Sequence, residues 1–163
     1  NASLAITVGD DPGDEVVVLL SANPGSPLLP LTKVASGGEL ARTMLALRLV
    51  LTQAPGTLVF DEVDAGIGGT AAVAVANALA DLGQRHQVLV VTHLAQVAAA
   101  AQTQVNVTKT VRAKQTFAMA TALDGEDRVA EIARMLSGGV AQGSAIEHAR
   151  DLLSASSPKK RRT

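Results

Sequence analysis

Two short apolar runs constrain this chain more than any other feature. Thr57 to Phe60 and Val88 to Val91 start 31 positions apart, and each breaks abruptly into polar residues. Between them, Thr70 to Leu82 is alanine-rich and stops at Gly83. An apolar run, a helical stretch and a second apolar run at this length make one βαβ unit, so the two strands are expected to lie parallel. Runs with no polar alternation are expected to be buried, as strands of parallel sheets are. In open α/β sheets, ligands bind outside the carboxyl ends of the strands. Asp61 and Glu62 follow the first run, and His93 stands at the end of the second, 32 residues beyond Asp61. All three are expected to face one site.

The remaining chain reads as an α/β protein around that unit. Leu4 to Val8 and Glu15 to Ser21 read as strands separated by the turn residues Asp10-Asp11-Pro12-Gly13. Ala22 to Leu31 holds Pro24, Pro27 and Pro30 and is expected to be an irregular loop. A helix is expected from Ser36, which forms a capping box with Glu39. Leu40, Met44, Leu47 and Leu51 supply its apolar stripe, and Pro55-Gly56 ends it. Leu94 to Ala101 is expected to be helical. Val105 to Val111 and Thr116 to Leu123 form a hairpin turning near Ala113-Lys114, and helices follow over Arg128 to Leu136 and Ser144 to Leu153. The expected organisation is one folded lobe over residues 1–155 and a basic tail over 156–163.

Composition narrows what such a lobe does. Aromatic residues are 1% of the 163, namely Phe60 and Phe117, so the core must be aliphatic and alanine-rich. That argues against base-stacking platforms for single-stranded nucleic acid and against aromatic cages for cations. There is no cysteine, which excludes disulfide scaffolds and thiolate zinc sites. No apolar run approaches the roughly 18 residues of a membrane helix, so no membrane partner is expected. Four of the 14 basic residues are Lys159, Lys160, Arg161 and Arg162. Without them the body is acidic, ten basic residues against 15 acidic, and does not read as a DNA-binding surface. The tail itself reads as a solvated end before it reads as a phosphate contact. The chain opens on Asn1, not Met, and translation is expected to begin upstream.

Two constellations carry chemistry. One carboxylate of the Asp61–Glu62 pair can support Mg²⁺, while the other orients or deprotonates a water. Two carboxylates by themselves read as the start of a solvated loop, and the histidine and the glycine-rich stretch Ala65 to Gly69 tip the balance toward function. In Ser36-Gly37-Gly38-Glu39, two glycines behind a capping serine expose backbone N–H groups at a helix N-terminus, an anion site suited to phosphate. A cap does not need two glycines in its first turn, where they weaken the helix. Leu136-Ser137-Gly138-Gly139 repeats the Ser-Gly-Gly letters but follows a helix, and reads as a C-terminal stop without a phosphate role.

These residues resemble a known pattern. Val34 to Arg42 is similar to the signature motif of ABC-type ATPases, Leu58 to Asp64 to their Walker B strand, and Val91-Thr92-His93 to their switch-histidine strand. Within that superfamily four stretches resemble the RecN family of bacterial DNA-repair ATPases, relatives of the SMC group. They are Ser21 to Gly25, Asp64 to Gly69, Thr92 to Ala99 and Glu131 to Gly138. The resemblance implies the C-terminal lobe of an ABC/SMC-type P-loop ATPase head, with a parallel βαβ core, helices and a small β-hairpin. It implies that Asp61 supports the Mg²⁺ of bound ATP, Glu62 polarises the attacking water and His93 contacts the γ-phosphate. Ser36, Gly37 and Gly38, with Glu39 of the same motif, would grip an ATP held mainly by a second head. Asp64 and the loop containing Gly66 and Gly68 would meet that second head. The implied partners are an N-terminal lobe carrying Walker A, a second head, and DNA through the full-length protein. The implied setting is cytoplasmic, at the nucleoid, in repair of double-strand breaks by recombination.

The sequence also departs from the pattern. Gly68 stands where SMC heads and transporters carry Asp, and Ala95 where the family often has Pro. Val63-Asp64 replaces the Pro-Thr of transporters, which disfavours a transporter nucleotide-binding domain. A clamp that dimerises on ATP without turnover is the other alternative, and Glu62 and His93 disfavour it. No Gly-x-x-x-x-Gly-Lys-Ser/Thr loop occurs in the 163 residues. The 163 residues by themselves are therefore expected neither to bind Mg-ATP tightly nor to hydrolyse it.

Overall fold

The computed structural model describes residues 3–11, 15–21, 23–34, 37–50, 56–112, 115–139 and 143–156. Its centre is the expected βαβ unit. Strand β4 (Thr57–Phe60) pairs in parallel with β5 (Gln87–Val90), with Thr57 opposite Gln87 and Phe60 opposite Val90. Helix α3 (Gly69–Gly83) makes the crossover between them. The alanines of α3 let it lie close to the strands: Ala76, Leu79 and Leu82 pack with Leu58 and Phe60, and Leu45 and Val97 complete this aliphatic cluster. Burial of both strand faces, expected from the unbroken apolar runs, is not observed. Leu58 and Phe60 point inward, whereas Val59, Leu89 and Val91 on the opposite face are exposed. Among the described residues the sheet has two strands, and one layer cannot cover both of its faces.

Strands β1 (Ser3–Val8), β2 (Val16–Ser21) and β3 (Leu29–Pro30) form a separate antiparallel sheet in that order. The stretch expected to be an irregular loop thus contributes a short strand, followed by the single turn α1 (Leu31–Val34). Pro30 is tolerated because β3 lies at the rim of this sheet, beside β2.

Helix α2 (Gly37–Val50) begins where the capping box was expected, although Ser36 and Leu51 lie outside the described residues. Its inward face differs from the expected stripe. Gly38, Thr43 and Leu45 are buried, while Leu40 and Met44 are exposed. The small Gly38 lets the helix backbone sit against Ala65, and that contact selects which face turns inward.

Helix α4 (Ala95–Ala100) joins the two halves of the core. Val97 belongs to the β4–β5 cluster, and Ala95, Ala98 and Ala99 pack in a second cluster with Val129, Ile132, Ala133 and Ala149. The latter come from α5 (Gly125–Ser137) and α6 (Gly143–Ser156). Gly138 ends α5 at φ 66°, a left-handed cap, as expected for the repeated Ser-Gly-Gly letters. Strands β6 (Gln104–Arg112) and β7 (Gln115–Leu123) form the hairpin, with its turn residues outside the described set. Residues 157–163, which hold the basic cluster, also lie outside it.

Candidate functional site at the carboxyl ends of β4 and β5

The chain turns sharply where β4 ends. The Glu62 N–H donates to Asp61 Oδ1 at 3.0 Å, and the Ala65 N–H donates to the Glu62 carbonyl at 3.0 Å. Glu62 has φ 55°, a left-handed conformation that non-glycine residues adopt rarely and that clusters at functional sites. Val63 and Asp64 are fully buried, which anchors the turn and leaves Asp61 and Glu62 facing out. The Val91 N–H donates to the Phe60 carbonyl at 2.9 Å, so β5 delivers Thr92 and His93 directly beside this turn.

Asp64 ties the two strand ends together. Its Oδ2 accepts hydrogen bonds from the Thr92 hydroxyl and, at 3.0 Å, from the His93 N–H. His93 Nδ1 lies 3.2 Å from the same oxygen. The Thr92 Oγ1 in turn accepts from the Leu94 N–H at 3.0 Å, at the start of α4. Burial pushes the Asp64 carboxyl up. The Thr92 hydroxyl, the His93 N–H and the charge of the His93 ring outweigh burial and hold it below its ordinary value. Asp64 is 2% exposed, whereas the His93 side chain is 73% exposed. The carboxylate is therefore turned inward, not toward a partner surface.

The glycines of α2 meet the same turn. A Cβ on Gly37 would lie 2.7 Å from Glu62 Oε2, and one on Gly38 would lie 2.8 Å from the Ala65 carbonyl. Close approach within the chain thus gives both glycines a packing reason beside the anion-site reading. Arg42, four residues after Gly38, donates to the Ala65 carbonyl at 2.8 Å and the Val63 carbonyl at 3.3 Å. Gly37, Gly38, Asp61, Glu62, Asp64 and His93 all line one open hollow of about 440 Å³. Glu39 sits in the first turn of α2. Gly66 and Gly68 are exposed on the loop leading to α3, beside the hollow's wall and not in it.

Two residues of the site, Arg42 and Thr92, have no role in the sequence pattern. Arg42 carries a readable signal, because it shares the helix face of Gly38 and must therefore meet whatever Gly38 meets. Thr92 carries none, since its partner Asp64 is 28 residues away. Among the described residues no three His, Asp or Glu side chains gather to hold a metal by themselves. One exposed carboxylate at a strand end, Asp61, fits a Mg²⁺ that arrives with phosphates and keeps most of its waters.

No protein-family model matches the chain. Curated relatives do. It is 54% identical over 139 residues to the DNA repair protein RecN of Deinococcus radiodurans, a match covering 85% of this chain and 24% of that protein. Over this stretch the chain is a RecN homologue. RecN of Treponema pallidum is 47% identical over 150 residues, 91% of this chain and 26% of its own length. The chain spans about a quarter of the length of these RecN relatives and corresponds to their C-terminal part. A structure solved in work on ATP-driven dimerization and DNA-stimulated activation of SMC ATPases superposes with a TM-score of 0.55 at 17% identity, over 77% of this chain and 76% of that one. The fold is that of SMC ATPase heads.

Proposed function

We propose that this chain is the part of a RecN-type ATPase head that supplies Walker B, the switch histidine and the signature motif. The observation that carries it is the shared hollow: two parallel strands and one helix N-terminus bring Asp61, Glu62, His93, Gly37 and Gly38 around one space. Mg²⁺, when bound with ATP, neutralises phosphate charge and orients the γ-phosphoryl group. Asp61 would hold that ion. Glu62 orients the attacking water and accepts its proton. His93 points its exposed edge at the γ-phosphate. Gly37 and Gly38 at the start of α2, with Ser36 before them in the sequence and Glu39 after, would offer backbone N–H groups to the phosphate of an ATP held by a second head. The loop with Gly66 and Gly68 faces that head.

The exposed face of β4 and β5 supports a further lobe as partner. Val59 is 67% exposed and Val91 62%, and Leu40 and Met44 border the adjoining hollow of about 470 Å³. Apolar sheet faces of this kind are normally covered. The Walker A lobe fits that place, since the phosphate loop absent from these 163 residues must approach the same strand ends. Engagement of DNA belongs to the whole protein, acting in double-strand break repair in the cytoplasm at the nucleoid. Among the described residues no helix is long and apolar enough to cross a membrane. In a complete head, Glu62→Gln should retain ATP binding while phosphate release falls roughly 10²- to 10⁴-fold, because the amide cannot take the proton. Turnover near the wild-type rate would remove Glu62 from this role.

A further inference from the structure

Asp64 has a place in the site that its position in the sequence does not suggest. It is buried, it belongs to the β4 turn, and all of its observed side-chain partners belong to the β5 end. We propose that Asp64 is a positioning residue: its carboxylate clamps Thr92 and His93 so that Nδ1 of the imidazole faces the protein and Nε2 faces the hollow.

The geometry leaves little freedom. Asp64 Oδ2 lies 3.2 Å from His93 Nδ1, a charge contact that draws that edge of the ring inward. With Nδ1 drawn toward Asp64, Nε2 lies on the far edge of the ring and is left for the outer partner. The His93 N–H bound to the same oxygen fixes the backbone that carries the ring. Thr92 closes the clamp: its hydroxyl donates to Asp64 while accepting from Leu94, so the switch segment is held at residues 92, 93 and 94 together. Because the ring is otherwise exposed, it lacks a packed pocket to orient it, and Asp64 supplies that orientation. The assignment rests on the reading of His93 as the phosphate-facing group, but its geometric core can be tested apart from catalysis.

The 163-residue chain holds three histidines, His86, His93 and His148, which makes nitrogen NMR of ¹⁵N-histidine-labelled protein direct. The His93 signal is assigned by its loss in His93→Gln. The expected result is a set of His93 ring shifts distinct from those of an unstructured histidine, moving toward the latter in Asp64→Asn. Thr92→Val should loosen the same signature and Thr92→Ser restore it, which guards against a folding defect in the Asp64 variant. Ring shifts of an unstructured histidine in the unsubstituted chain, or a His93 signal indifferent to Asp64→Asn, would overturn the proposal. In a complete head, Asp64→Asn should lower kcat roughly 10- to 100-fold with little change in KM, the scale on which groups that orient a histidine act. It should add nothing in a His93→Ala background. Additive losses would mean that Asp64 acts structurally and sink the positioning role. Wild-type turnover in His93→Ala alone would instead remove His93 from the phosphate, leaving the NMR arms to decide the clamp.

Discussion

At the scale of single residues, the site is built by close approach. Gly38 is needed because a methyl group there would meet the Ala65 carbonyl, the Ala65 Cβ and the Arg42 guanidinium, all within 3 Å. Gly38→Ala should therefore destabilise the chain by about 1–3 kcal/mol, the usual range for overpacking, although alanine is the better helix former. Urea unfolding measures it, and a stabilised variant would show that the turn yields freely. Asp64 adds a pH dependence whose sign follows from its depressed pKa. A carboxylate held below its ordinary value stabilises the fold above about pH 4, the unfolded value, and that contribution fades as pH falls through the folded one. The gap in unfolding free energy between the unsubstituted chain and Asp64→Asn should narrow as pH falls below about 4. A gap that widens in acid would contradict the assignment of Asp64 as the stabilised carboxylate.

At the scale of elements, the short helix α4 links the site to the rest of the lobe. It starts at Ala95, next to the Thr92–Leu94 clamp, and its last turn is closed by Arg128 from α5. That guanidinium donates to the carbonyls of Ala98 at 3.3 Å and Ala101 at 2.6 Å, groups that a helix end leaves unpaired. Burial lowers the pKa of Arg128, yet it remains charged at any physiological pH. Arg128→Met keeps the stem and removes these donors, so amide exchange over 95–101 should speed up while β6 and β7 are unaffected. Equal acceleration in the hairpin would point to global unfolding instead. The parallel pairing of β4 and β5 was legible from two apolar runs and the helix between them. The inward face of α2 was not, because Leu40, Met44 and Leu47 make a regular stripe at the right period. Periodicity reports that a helix has an apolar face; it does not report which of two faces a glycine contact will turn inward.

At the scale of the whole molecule, the chain gathers Asp61, Glu62, His93 and two helix-start glycines around one hollow, with no phosphate loop in its 163 residues. Calorimetry of these 163 residues with Mg-ATP should show no micromolar binding, and phosphate release should not exceed background. Tight binding by the isolated chain would mean that the hollow holds nucleotide without Walker A. The βαβ unit, the placing of Asp61, Glu62 and His93 at its strand ends, the aliphatic core and the lack of a phosphate loop in the 163 residues are all written in the amino-acid order. These follow from local patterning and from the handedness and direction rules of parallel strands, which act within a few dozen residues. That Asp64 faces Thr92 and His93, that Gly37 and Gly38 are packed against the Glu62–Ala65 turn, and that Val59, Leu89 and Val91 are left uncovered emerges when the elements pack together. Those outcomes depend on which side chains meet across elements far apart in the chain, and no spacing along one strand or helix encodes them.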